Sequence, residues 1–336
     1  MPSFPLSDLS MSLALQRQSR DIREALNDAG FEMTTGLRAD IIAATEGNVE
    51  QVFAIDRSLT LLGQQSLGLA QAENRASTVQ VALGIAQDAG GEIGLNLSAG
   101  VSRGDLVAAD QFAGSAAQAL DATIGALNST FGGRYLFSGA AEGQRPLASG
   151  ATILADVQAL INAAPDSATA LTDVDAYFDT PGGAFETTIY GGATEDAPAV
   201  LTPDGDRIEF MVRADAQPLR DLIKGLAVAA SFDSTTFAGL APDQTAVYQS
   251  ASRTIENARQ DIVEMRAELG IAEQNIAKTQ AYIETQTSAL EIARNEVAGV
   301  DQYEAATRFA ALENQLQAAY TVTARISNLN LTNFLR

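Results

Sequence analysis

Histidine, cysteine and tryptophan are absent from all 336 residues, and aromatic residues make up only 6%. Without histidine there is no Ser-His-Asp or Cys-His nucleophile system, and without either residue no thiolate zinc site or His-ligated metal. No disulfide framework can exist, so cysteine usage says nothing about redox compartment. Positive charge is scarce: 21 Lys and Arg stand against 42 Asp and Glu, a net charge of −21. That balance opposes binding to phosphate backbones and anionic lipid, so neither nucleic acid nor membrane is expected as a partner. No apolar run approaches the length of a membrane span. Residues 1–15 lack the basic flank and continuous apolar stretch of a cleaved signal peptide, so any export is expected to use another route. No cofactor, catalytic residue or metal ligand is expected.

What the chain has instead is long heptad order. From 248 to 300, every seventh residue reads Tyr248, Ile255, Ile262, Leu269, Ile276, Ile283, Leu290 and Val297. Three residues after each come Ala251, Ala258, Met265, Ala272, Thr279, Gln286, Ala293 and Val300. An a/d seam over eight heptads, free of proline, predicts one helix about 80 Å long at 1.5 Å per residue. A rod of that length needs a comparably long partner. The matching series is Ile55, Leu62, Leu69, Ala76 and Leu83, with Val52 and Leu59 beside it. It predicts a helix over 45–89, ended by Gly90-Gly91 or continuing weakly to Leu97.

The rest falls around these rods. Pro2 and Pro5 disfavour helix at the start; from about Ser10, Met11, Leu15, Ile22, Leu26, Ala29 and Met33 share one helical face. Gly36 stops that helix, and 36–47 reads as a connector. Ser102 is a candidate cap for a third helix, with Asp105 in its first turn and Ala113, Ala116, Leu120, Ile124 and Leu127 on its apolar face. Between 140 and 245 the composition turns acidic, with 16 Asp and Glu against 5 Lys and Arg, and prolines gather. There 152–163 and 218–230 read as helices, and 134–137, 187–190 and 207–212 as strands. Leu312, Leu316, Ala319, Ile326 and Leu329 form a last amphipathic stripe, followed by Leu331, Phe334 and Leu335. The predicted fold is mainly α: long antiparallel helical rods built from both chain ends, with a central acidic mixed α/β insert. The expected domains are an N-terminal assembly helix (1–45) packing with a C-terminal one (301–336), helical rods (46–139 and 246–300), and the outward insert (140–245).

Three stretches resemble the bacterial flagellin family. Met33-Thr34-Thr35-Gly36-Leu37-Arg38 looks like the family's turn after its first helix. Gly133-Arg134-Tyr135-Leu136-Phe137-Ser138-Gly139 is similar to its G-x-Y-x-F-S-G segment. The ending from Tyr320 to Leu335 resembles the flagellin-like hook-associated branch at the hook–filament junction more than it does filament flagellins. The chain departs from the family at Ala39-Asp40-Ile41-Ile42, where an acidic pair is usual, and in its first residues. The resemblance implies a structural flagellar subunit, exported through the flagellar type III apparatus without a cleaved signal and located in the extracellular flagellum. It also implies copies of the chain itself, a neighbouring hook-associated protein, filament flagellin and an export chaperone as partners. The alternatives are a filament flagellin and, from another class, a cytoplasmic signalling coiled coil.

The pattern alone leaves two roles open for the terminal stripes: an assembly interface or an ordinary intramolecular hairpin. The resemblance favours assembly for Leu15, Ile22, Leu26, Leu312, Leu316, Ile326, Leu329, Leu331 and Phe334. Asp204-Gly205-Asp206 with Glu209 lacks the ligand count and spacing of a calcium loop and reads as a hairpin turn. Asp173, Asp175 and Asp179 offer paired carboxylates for hydrolysis, but read better as acidic loop residues in so acidic a chain. The glycines of the GGRYLFSG run match no phosphate-binding fingerprint.

Overall fold

The computed structural model describes residues 6–44, 49–103, 106–203, 205, 207–231 and 241–334. Asp105, Asp204, Asp206 and Leu335 lie outside the described residues, as do the side chains of Met11, Ala113, Ile326, Leu329, Leu331 and Phe334. The elements are helices α1 (Leu6–Thr35), α2 (Ile41–Ala44), α3 (Glu50–Ser102), α4 (Leu106–Leu127), α5 (Gly150–Ala163), α6 (Ser167–Asp179), α7 (Gln217–Ser231), α8 (Ala241–Ala298) and α9 (Gln302–Phe334). Two short hairpins interrupt them, β1 (Thr130–Phe131) with β2 (Arg134–Tyr135) and β3 (Val200–Leu201) with β4 (Arg207–Ile208), both antiparallel. The fold is mainly α, built on long antiparallel helices. It divides into two compact units, one of Met1–Gln64 with Tyr282–Arg336 and the other Gln65–Ala281.

In the larger unit α3 and α8 run antiparallel, because partners rising along one fall along the other. Gln280 pairs with Glu73, Arg266 with Gln80 and Gln87, and Ser252 donates to the Gly94 carbonyl. The heptad residues Leu69, Leu83, Ile255, Ile262, Leu269 and Ile276 are all buried at this seam. Helix α3 does not stop at Gly90-Gly91; it continues to Ser102. A glycine interior costs about 1 kcal/mol against alanine, and packing supplies the reason it is kept. A Cβ on Gly90 would lie 2.6 Å from Leu222 Cδ1, and one on Gly94 3.0 Å from Ile255 Cγ2. Helix α7 packs on α4 and α5 and buries Leu219, Leu222, Ile223 and Leu226.

The segment read as the family-like GGRYLFSG run is explained by its geometry. Gly132 and Gly133 both have positive φ (58° and 80°), the conformation a two-residue hairpin turn needs. Only Arg134 and Tyr135 are strand; Leu136 and Phe137 turn into the core at 1% and 0% exposure. Gly139 (φ 60°) has the Glu195 carbonyl within 2.4 Å of where a Cβ would stand, which no other residue tolerates. The central region is more helical than its sequence implies. The run 187–190 is not a strand: Phe185–Ile189 forms a π-helical turn that buries Phe185 beside Phe178. Of 207–212 only Arg207 and Ile208 pair, and Asp173, Asp175 and Asp179 stand on α6 rather than in a loop. Short β-branched runs stay in strand only where a neighbouring strand meets their backbone groups, and here the hairpins supply two residues each.

The smaller unit contains α1, α2, α9 and the adjoining ends of α3 and α8. Val52, Ile55 and Ile283 are buried there, and Arg294 Nε reaches Asp56 Oδ1 at 2.9 Å.

Candidate assembly surface

Helix α1 ends where the sequence reading placed its stop. Thr34 and Thr35 hydroxyls bond back to Gly30 and Phe31 carbonyls, and the Gly36 N–H closes the last turn on Glu32 O at 2.9 Å. Gly36 then adopts φ 70°, the left-handed residue past a helix end that favours glycine. The chain leaves as a short extended piece. Arg38 N–H donates to Ala298 O, and Val300 N–H donates to Gly36 O, making an antiparallel bridge between Leu37 and Gly299. Helix α9 starts immediately after, with the Asp301 carboxylate accepting from the Tyr303 N–H at 2.8 Å as its N-cap.

Helices α1 and α9 pack along each other. Beside Gly36 the join is polar. Glu32, 8% exposed, accepts Arg308 Nη1 at 2.9 Å through one carboxylate oxygen and the Ala39 N–H at 3.3 Å through the other. Further along, the contact is apolar and shallow. Leu15, Ile22 and Leu26 of α1 and Leu312 and Leu316 of α9 are half-buried. Among the described residues of these two helices, Ala29 and Ala305 are the fully buried apolar side chains. An open groove of about 510 Å³ runs here, lined by Ala14, Arg17, Gln18, Asp21, Ile22, Ala25 and Leu312. Leu13, Phe31, Tyr303, Tyr320 and Val322 are exposed on the same pair. Of the seam residues in this unit, Ile55 and Ile283 are buried, while Leu62, Leu290 and Val297 are half-buried.

The ionised clusters are ion pairs between separate pieces of chain. Burial pushes Glu142 up, but the Arg75 and Arg134 guanidiniums outweigh it and hold its carboxyl below the usual range. Burial alone would lower Lys224; Asp179, Asp221 and Asp175, at 2.7–3.1 Å, outweigh it and hold the ammonium above the ordinary lysine range. Asp175 and Asp179 are thus ion-pair partners of a lysine. Among the described residues no group of three or more His, Cys, Asp or Glu is placed to hold a metal ion, and no helix is long and apolar enough to cross a membrane. Sequence reasoning missed Glu32, Arg308 and the Arg266 clamp, since charged residues on an amphipathic helix read as a solvated face.

Such an arrangement defines a fold of long paired antiparallel helices. Residues 253–335 match the family model described as the bacterial flagellin C-terminal helical region. No curated protein matches the sequence. The crystal structure of Bacillus cereus FlgL is similar at 15% identity and a TM-score of 0.38, over 74% of this chain and 96% of that one.

Proposed function

We propose that this chain is a structural subunit of the extracellular bacterial flagellum that assembles through α1 and α9, at the junction between hook and filament. The observation that supports assembly is the shallow burial of the terminal pair. Leu15, Ile22, Leu26, Leu312 and Leu316 are half-buried, whereas Leu69, Leu83, Ile255, Ile262, Leu269 and Ile276 of the larger unit are almost fully buried. Fully burying such a side chain contributes about 1.5–3 kcal/mol, so neighbouring copies that cover the stripe gain stability the monomer leaves unused. The flagellin C-terminal match over 253–335 supports the flagellar setting. The junction position rests on the ending from Tyr320 to Leu335. The other partners that follow from this reading are a hook-associated neighbour, filament flagellin and an export chaperone, and export uses the flagellar type III route.

Deleting 310–336 removes Leu312, Leu316, Ile326, Leu329, Leu331 and Phe334. The truncated protein should still melt cooperatively and yet fail to enter flagella; a collapse of the whole fold would show instead that the stripe serves the monomer's own core. The match to flagellin itself favours a filament subunit as the second reading. Purified full-length protein should form short assemblies at hook ends seen by electron microscopy. Long filaments grown from it alone would make it a filament flagellin.

A further inference from the structure

Helix α3 carries glycines of two kinds. Gly84, Gly90, Gly91 and Gly94 each face a side chain of another helix: a Cβ there would lie 2.6–3.7 Å from Arg266, Leu222, Arg259 or Ile255. At Gly63 and Gly68 a Cβ would meet nothing within 4 Å among the described residues, so packing does not account for them. An interior glycine weakens a helix through its backbone freedom, and no close contact offsets that loss at these two. Two such glycines stand five residues apart on one helix.

The same stretch is poor in burial. Val52 and Ile55 are buried before it and Leu69, Ala72 and Ala76 after it, but no residue from 56 to 68 is, and Leu61 and Leu67 are exposed. Gln65 comes three residues after the seam residue Leu62. Its Oε1 is shut from water without a hydrogen-bond partner among the described residues, which favours any state that lets water reach it. The Ser58 and Thr60 hydroxyls bond back to the Ala54 and Asp56 carbonyls, a pattern that slightly destabilises and bends helices. The part of α8 that carries Arg294, the ion-pair partner of Asp56, is no better buried: none of residues 284–297 is. Few buried contacts and weak helix formers are the conditions under which a segment opens by itself. We propose that residues 56–68 are a yielding segment of α3, a stretch of helix that opens on its own while the helix from Leu69 onward stays closed. A long helix with one such stretch bends there rather than unfolding along its length. Such opening is a property of the single chain, separate from any assembly it joins.

The test is hydrogen exchange on dilute full-length protein, read at the amides of 59–68 and, in the same helix, 76–90. In the parent the 59–68 amides should exchange at least about tenfold faster than 76–90. Their rates should barely change in urea below the unfolding transition, because a local opening exposes little surface. The double variant Gly63→Ala/Gly68→Ala should slow them at least about tenfold, each alanine contributing roughly four- to fivefold. Gly270 of α8 is equally open but stands between buried Leu269 and Ala272, so Gly270→Ala should slow 76–90 and leave 59–68 unchanged. All three alanines enter open space and favour helix, so the variants remain folded. Amides at 59–68 as protected as 76–90 in the parent, no slowing in the double variant, or equal slowing of both stretches by Gly270→Ala would each overturn the proposal. The readout uses monomer alone, so it stands or falls separately from the assembly reading, which the 310–336 deletion tests.

Discussion

Ile255 of α8 lies so close to Gly225 of α7 that a Cβ on the glycine would be 2.7 Å from Ile255 Cγ1 and 3.2 Å from its backbone nitrogen. Gly94 of α3 meets the same side chain, with its Cβ position 3.0 Å from Cγ2. One isoleucine, at 0% exposure, is therefore seated between glycines from two helices. The first prediction is that Gly225→Ala forces α7 off α8. It should cost about 1–3 kcal/mol, the usual penalty of overpacking, despite alanine's better helix propensity. Gly63→Ala, where a Cβ meets nothing within 4 Å, is the control and should be neutral or stabilising. Urea denaturation of both variants measures the difference.

The seam itself is tested by Ile276→Asp. Ile276 is fully buried in the larger unit, so the substitution places a carboxylate there without a partner. The loss should be several kcal/mol, or the group must take up a proton. Thermal melts at pH 7 and pH 5 check it, with the variant relatively less destabilised at the lower pH; an unchanged melting temperature would refute pairing at this seam.

Lys224 is predicted to matter through its three partners. Lys224→Met keeps the stem but leaves Asp175, Asp179 and Asp221 together without their cation. The three carboxylates are 23–63% exposed, so water screens part of the loss and the cost should be about 1–3 kcal/mol, with Asp175 contributing least. Asp221→Asn in the same background should recover part of the loss by removing one uncompensated charge. Chemical denaturation of single and double variants measures the coupling.

Stability should be flat between about pH 6 and 9, since no histidine titrates there. Below that plateau the depressed carboxyls act. Glu142 and Glu256 are held below their ordinary values, so their contribution is present above the unfolded carboxylate value and is lost as pH falls from there through the lowered folded one. Above the plateau Lys224 acts in the opposite sense. Its folded value is raised, so its contribution is complete below the unfolded lysine value and is lost as pH rises from there through the folded value. Melting temperatures from pH 3 to 11 should trace a plateau with two falling shoulders.

The two rods, their antiparallel pairing and the stop at Gly36 were legible in the sequence, because each rests on a local rule repeated many times. A seven-residue apolar period has one good solution, a long helix against another long helix, and a glycine past the last apolar residue ends a helix by its own backbone freedom. The tertiary structure decided matters that a local rule cannot reach. Gly90 and Gly91 read as a stop, yet α3 runs through them, since Leu222 and Ile255 from distant parts of the chain occupy the space a side chain on Gly90 would need and Arg259 the space at Gly91. The run 187–190 has strand-forming residues, but Phe185 gains more by joining Phe178 in the core than the backbone gains without a partner strand. Glu32 reads as one more charge on an amphipathic helix until α9 brings Arg308 to it across 276 residues of sequence. Periodicity encodes which face of a helix is apolar. What meets that face, and which charge is shut away from water, depends on pieces of chain that only the fold brings together.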